Sequence, residues 1–391
     1  MAQSFESKFI SNVQEQRALW TAPEEYDLSS GIDRKILDRK FDDNAVLAIT
    51  DRIHIIANEL FTVTYPDQES DENSREQFVD DITNQGLQYG RWFYFPWKKE
   101  LVHFPDIETH RKLRTARNKN LINDEEQSKL YEATIAIFGL SVGSNVVSKL
   151  VLTGIGGKLI LADPDVIEPT NLNRIEGSFT DVGSSKVDFV ARKISEADPY
   201  INQVHIKDKV DQETLGAVTD THHPDIFIDE VDDLTAKIYI REEGLRSETP
   251  VLMATDTGDK AIIDVERYDQ DNTLPFNGRL RGKDLDGIKL GDPKSIATAL
   301  PKLIGIRNTT PRLIESFLEK GKSLSGIPQL GVTAAIGGSL VALASREIIL
   351  GRKVDSGRYI FSPSEIMKFK SPTSISEAAH ILHRFLKHHK S

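Results

Sequence analysis

The chain has no cysteine among its 391 residues, which excludes a disulfide, a thiolate zinc site, an iron-sulfur cluster and a cysteine nucleophile. Any chemistry must run on oxygen and nitrogen groups. Basic charge is also short, with 49 Lys and Arg against 60 Asp and Glu and a formal net charge of −11. Binding nucleic acid by counterion release needs a basic surface, so nucleic acid is disfavoured as a partner, and so is a membrane surface. Long apolar runs are missing too. The longest weakly polar stretch, Leu330 to Ala344, is interrupted by Gly331, Gly337 and Gly338 and falls short of the ~20 apolar residues of a membrane span. The opening Met-Ala-Gln-Ser-Phe-Glu-Ser-Lys lacks the basic-then-apolar profile of a secretory signal, so the expectation is a cytoplasmic protein.

The length suits two or three domains, and the patterning suggests residues 1–125, 126–270 and 271–391. The first region is polar and irregular, a small α+β accessory domain with an apolar stretch at Val46 to Phe61 and an acidic one between Pro66 and Asp81 that reads as a solvated loop. Arg91 to Phe104 places aromatics on both sides of Pro-Trp-Lys-Lys, the pattern of a β-hairpin. Interleaved aromatic and basic residues also stack nucleobases, an alternative that the acidic whole opposes. From about residue 131, short apolar strands alternate with helices of period 3.6. That alternation predicts an α/β fold, a mainly parallel sheet with helices on both faces. Strands are expected at 134–138, 158–162, 225–228 and 251–255, and helices at 145–153, from Ser184 or Ser185 to Asp198, and at 234–247. Beyond 270 the signal weakens through a Gly, Lys and Asp-rich segment. It returns in a small-residue helix from Val332 to Leu350, stopped by Gly351, and in a C-terminal helix from about Ser374 that completes the core with a His-rich tail.

The first strand runs directly into Gly139-Leu-Ser-Val-Gly-Ser144, so loop amides and a helix N-terminus can face an anion such as phosphate. Ser141 takes the place of the middle glycine of G-x-G-x-x-G, and Gly143 comes one residue early. A plain tight turn joining strand to helix is the alternative. The second strand delivers Asp163, where a carboxylate accepts from ribose hydroxyls. Together these features indicate a nucleotide without saying which. Asp163-Pro-Asp165 then leads to Thr170-Asn171-Leu172-Asn173-Arg174, Lys186 opens the next helix, and Val231-Asp232-Asp233 follows the third strand.

In that order and spacing the chain resembles the superfamily of ThiF and MoeB-like ATP-dependent adenylating enzymes, which includes the ubiquitin-activating enzymes. The wording Gly-Leu-Ser-Val-Gly-Ser, with Glu230-Val-Asp-Asp233 and Asp264-Val-Glu-Arg267, is similar to a bacterial subgroup sometimes fused to a nitroreductase domain, a domain to which nothing here is similar. The resemblance implies a Rossmann-like core that binds ATP and Mg²⁺ and activates a carboxylate as an acyl-adenylate. It further implies that Gly139, Ser141 and Gly143 form the nucleotide loop and that Asp163, with Asp165, serves the ribose. Asn171, Arg174 and Lys186 would serve the phosphates and Asp232 the metal. Relatives usually supply an arginine across a dimer interface from the stretch before the first strand. Of Arg114 and Arg117, the choice falls on Arg117, in a homodimer. Taken singly, Asp163 also reads as a loop carboxylate, Arg174 and Lys186 as solvated charges, and Asp232 as a helix N-cap.

Many relatives pass the acyl group to a cysteine and carry a structural zinc in paired C-x-x-C motifs; this chain can do neither. The substrate classes left are a peptide or protein carboxylate, a small acid, and a carboxylate on a modified nucleoside. Two other readings use the same loop: an NAD-binding Rossmann oxidoreductase, which gives no reason for Asn171, Arg174 and Asp232, and a non-catalytic ATP-binding scaffold. His380, His383, His388 and His389 crowd the C-terminus without a convergent carboxylate and read as a solvated tail.

Overall fold

The computed structural model describes residues 20–271, 273–305, 308–370 and 373–388. The chain divides into two compact units, one ending at Ala116 and one beginning at Arg117. Residues 117–125, expected with the first unit, belong to the second.

The first unit runs β1 (Glu24–Tyr26), α1 (Gly31–Asp42), β2 (Ala48–Thr50), α2 (Ile53–Thr64), α3 (Glu72–Thr83), β3 (Arg91–Phe95), β4 (Glu100–Phe104) and α4 (Ile107–Arg114). Its sheet has the order β1-β3-β4-β2. The expected hairpin is β3–β4, paired from Arg91 with Phe104 to Phe95 with Glu100. Trp92, Phe93, Tyr94 and Phe95 are all buried, and Trp92 stacks on His103. These rings are packing, so the aromatic run offers no open stacking platform. The acidic stretch expected as a loop is mostly the helix α3. Asp71 caps it by accepting from the Ser74 amide, and Val79 and Ile82, three apart, pack with Ile53, Ala57 and Leu60 of α2. Charge on the solvent face had hidden that apolar stripe.

The second unit begins with α5 (Asp124–Glu132) and alternates β5 (Thr134–Phe138), α6 (Gly143–Thr153), β6 (Lys158–Ala162), α7 (Lys186–Ala197), β7 (Asn202–Ile206), α8 (Gln212–His222), β8 (Ile226–Asp229), α9 (Leu234–Ser247), β9 (Val251–Asp256) and β10 (Ala261–Glu266). The α/β expectation holds. The seven-stranded sheet has the order β11-β10-β9-β8-β5-β6-β7, with β11 at Gly357–Phe361. Five strands are parallel; β10 and β11 add antiparallel pairings at one edge. The central strands are continuous apolar runs because both faces are covered, and Ile135, Ile137, Phe138, Ile160 and Phe227 are wholly buried. Gly154, in the left-handed region, stops α6 where the sequence placed its end.

The weak-signal segment after 270 is helical as well: α10 (Lys283–Lys289), α11 (Pro293–Ile304) and α12 (Pro311–Glu319) precede α13 (Gly331–Ile349). The short α14 (Pro363–Ile366) and α15 (Ile375–His388) close the unit. By length and composition α13 is the one described helix that could cross a membrane, but its glycine face packs on the core. A methyl group on Gly337 would meet Ala254 of β9 at 3.2 Å, and one on Gly338 would meet the α6 backbone at Asn145 and Val146 at 2.8 Å. The small-residue face is thus used within the chain.

Candidate functional site

In the sheet, β5 leads by way of β6 and β7 to one edge, then β8 and β9 continue on its other side. Ligands of doubly wound folds bind at such a switch point, beyond the carboxyl ends of the strands. Three loops meet here: 139–143 after β5, 163–174 after β6 and 230–233 after β8.

Gly139 has φ of +88°, donates its amide to the Ala162 carbonyl, and lies so close to Glu230 that a methyl group would stand 2.3 Å from the Glu230 carbonyl oxygen. Only glycine fits there. Gly143 opens α6, and Val142 before it provides no side-chain cap. The Asn145 amide bonds the Val142 carbonyl at 2.9 Å, and the helix dipole favours an anion at this uncapped end. Ser141 accepts a hydrogen bond from Arg174 Nε at 3.0 Å. The departure from the glycine pattern is therefore a contact to the arginine.

Asp163 is buried, at 4% exposure. Its two oxygens accept from the amides of Leu140 at 2.7 Å and Asp165 at 2.8 Å, and Lys186 Nζ stands 3.6 Å from it and 2.9 Å from Asp165. Burial raises the Asp163 carboxyl above its ordinary value, opposed by the Leu140 amide and Lys186. Asp163 thus ties the glycine loop, the 163–165 turn and the start of α7 together, with carboxylate lone pairs left for a further donor.

Arg174 and Asn171 lie on the segment between β6 and α7. The Asn171 side-chain oxygen accepts the Glu168 amide, holding the 168–171 turn. Arg174 also donates to the Thr170 carbonyl and the Asn173 side chain. Burial lowers the Arg174 pKa, while Asp232, Asp256 and Glu168 push it back up. Asn171, Arg174 and Asp232 line one cavity of about 910 Å³ together with Glu230 and Asp256, a volume in the usual range for ligand sites. Gly139, Ser141, Gly143, Asp163, Asp165 and Lys186 do not line it and are joined to it through the Ser141–Arg174 bond.

Asp232 is exposed at this cavity. The cap of α9 is Asp233, which accepts the Ala236 amide, so the N-cap alternative for Asp232 falls. Arg117 is exposed on the turn Ala116–Asn118 and does not line the cavity. His380 and His383 are exposed on α15, His389 lies outside the described residues, and among the described residues no group of three or more His, Asp or Glu is arranged to hold a metal.

Three residues of the site were not singled out in the sequence. Asn145 of α6 donates to the Arg174 carbonyl at 2.9 Å. Glu230 accepts the Ala254 amide, and burial holds its carboxyl well above the ordinary value. Asp256 has both carboxylate oxygens buried and accepting no hydrogen bond, and burial pushes its pKa up to about 6, against the pull of Arg174. Its place at the carboxyl end of a parallel strand was the available signal. Behind this floor, Asp229 pairs with Lys237 at 3.1 Å and with Arg241, which also meets Glu266 at 2.9 Å, all buried.

Residues 114–378, more than half of the chain, match the ThiF family. The chain is 34% identical over 269 residues to the uncharacterised protein MT1398 of Mycobacterium tuberculosis, covering 68% of this chain but only 37% of that protein's length. It is 29% identical over 182 residues to the tRNA threonylcarbamoyladenosine dehydratase of Bacillus subtilis, covering 45% of this chain and 71% of that enzyme. The crystal structure of the E. coli tRNA N6-threonylcarbamoyladenosine dehydratase matches at 17% identity and a TM-score of 0.43, over 61% of this chain and 94% of that one. With its glycine loop, its 163–174 segment and its sheet order in place, the chain belongs to the ThiF family of the adenylating superfamily.

Proposed function

We propose that this chain uses ATP to activate a carboxylate as an acyl-adenylate, without a cysteine relay. The substrate carboxylate oxygen attacks the α-phosphorus, the bond to the bridging oxygen breaks, and pyrophosphate leaves with the electron pair. Such a reaction needs an α-phosphate held in line and cations for the charge that builds on the leaving group. The observation that carries the reading is the bond from Arg174, which lines a cavity with Asp232 and Asp256, to the loop residue Ser141 beside a helix N-terminus without a side-chain cap.

In this reading the first turn of α6 receives phosphate oxygens, Arg174 meets the leaving pyrophosphate, Asn171 steadies the phosphate segment and Lys186 approaches from the start of α7. Asp163, backed by Asp165, accepts a ribose hydroxyl. Asp232 holds Mg²⁺, with Asp256 as a second carboxylate. A donor set of one or two carboxylates, completed by phosphate oxygens and water, suits Mg²⁺ and not a dedicated all-protein metal cage. Bound there, the ion would draw charge from the leaving pyrophosphate. Arg117 completes the site of a second copy in a homodimer. Residues 1–116 act as an accessory region and 271–391 complete the core, in a cytoplasmic enzyme. The Bacillus subtilis relative is named for a tRNA-borne substrate; the net charge of −11 favours a peptide, protein or small acid here.

The test is calorimetric titration with ATP, with and without Mg²⁺. Mg²⁺-dependent binding is expected, abolished in Asp163→Ala and weakened in the milder Asp163→Asn. Unchanged affinity in folded variants would remove Asp163 from the nucleotide site.

A further inference from the structure

A second cavity, of about 610 Å³, adjoins the first: Asp232, Leu234, Leu300, Ile304, Phe317 and Lys320 line both. Most of its wall comes from the helices after residue 270. The helix α11 is apolar on two sides. Ala299 and Leu303 join a buried cluster with Ile238, Met253 and Phe276, while Ile296 and Leu300, one turn apart, face this annex and remain 40% and 37% exposed. Phe317 of α12 and Phe385 of α15 complete the wall. The charged residues around it are Asp232, Asp233 and Lys320; Asp232 and Lys320 belong to the wall shared with the cavity of Arg174.

We propose that the annex is the substrate pocket and that the substrate is a small carboxylic acid carrying a hydrocarbon group. This rests on the adenylation reading. The carboxylate would lie in the cavity of Arg174 and Asp232, and the hydrocarbon would pass Leu300 and Phe317 into the annex, covering apolar surface that the fold leaves uncovered. Two features favour hydrocarbon over peptide. Peptide N–H and C=O groups buried without partners carry a large desolvation cost, and this wall is mainly aliphatic and aromatic. No strand of the sheet lines the annex, so an extended peptide finds no edge with which to pair.

The test uses octanoate, hexanoate, acetate and glutarate as probes. Binding to the full chain is read by ligand-observed NMR without nucleotide, and activation by exchange of labelled pyrophosphate into ATP. Affinity is expected to rise about fourfold per methylene over the first few, with glutarate no better than acetate. Ala297→Trp fills the annex from an exposed helix position and should weaken octanoate binding at least about tenfold, leaving ATP binding unchanged. Ile296→Asn, also at an exposed position and lining the annex alone, should act the same way. Equal binding of all four acids, or octanoate binding indifferent to both substitutions, would overturn the proposal. So would exchange driven by a peptide with an apolar C-terminal residue and not by the acids. Absence of ATP binding with octanoate binding intact would instead strike the adenylation reading and leave the pocket standing.

Discussion

Arg174 Nε donates to the hydroxyl of Ser141 at 3.0 Å, so the residue that breaks the glycine pattern of the nucleotide loop is the one that orients the guanidinium lining the cavity. The same arginine is held from behind by Asn145 of α6, which donates to its carbonyl at 2.9 Å. These two bonds tie loop, helix and arginine together.

Ser141→Ala should weaken ATP binding by roughly three- to tenfold, because a hydrogen bond to a charged group is lost while the Thr170 and Asn173 contacts remain. The midpoint of urea unfolding should hardly move. Titration with a fluorescent ATP analogue checks the first; unchanged affinity would mean that Ser141 does not position Arg174.

Gly338→Ala should destabilise by about 1–3 kcal/mol, since the added methyl meets α6 backbone at 2.8 Å and backbone cannot swing aside. Gly216→Ala is the counterpart. It lies within α8 with nothing near the added methyl, so it should be neutral or stabilise by up to about 1 kcal/mol. Urea unfolding of both variants separates them by sign.

Asp256 supplies a pH dependence. Its folded pKa of about 6 lies above the ordinary carboxylate value because burial disfavours the ionised form. Its contribution to stability is therefore complete below about pH 4 and is lost as pH rises through about 6. Relative to the native chain without ligands, Asp256→Asn should gain up to about 3 kcal/mol at pH 8, with the difference vanishing near pH 4. Denaturation at the two pH values would show it; a gain that is the same at both would assign the effect to something other than ionisation.

The buried Asp229–Arg241–Glu266 chain fixes α9 against the sheet and so fixes the 230–233 loop that bears Asp232. Arg241→Met leaves two buried carboxylates with one fewer cation and should cost about 3–5 kcal/mol. Urea denaturation measures it, and a loss below 1 kcal/mol would mean that the network contributes little to holding α9.

What the sequence disclosed followed burial on both faces. Thr134–Phe138, ending at Gly139, and Lys158–Ala162, preceded by Gly157, are mainly apolar runs, and the glycine loop between them was readable in order and spacing. β7, Asn-Gln-Val-His-Ile, lies at a sheet edge and is only partly buried, so its composition gave no strand signal. α10 to α12 were hidden because their apolar residues are spread among Gly, Lys and Asp, and they become apolar faces only when wound. Lys237 and Arg241 converge on Asp229 from one turn apart on α9, a convergence that only the placement of α9 on β8 creates. Asp256 is an ordinary acidic residue in the sequence; its burial opposite Arg174 exists only in three dimensions.

The most direct test of adenylation is acid-dependent exchange of labelled pyrophosphate into ATP, compared among the native chain, Asp232→Asn and Arg174→Ala. Groups that meet charge developing on the leaving pyrophosphate matter more in the transition state than in bound ATP. Exchange in the native chain, falling on the order of 10²-fold or more in both variants while ATP affinity falls far less, is the expected result; equal exchange in all three would contradict the roles given to Asp232 and Arg174.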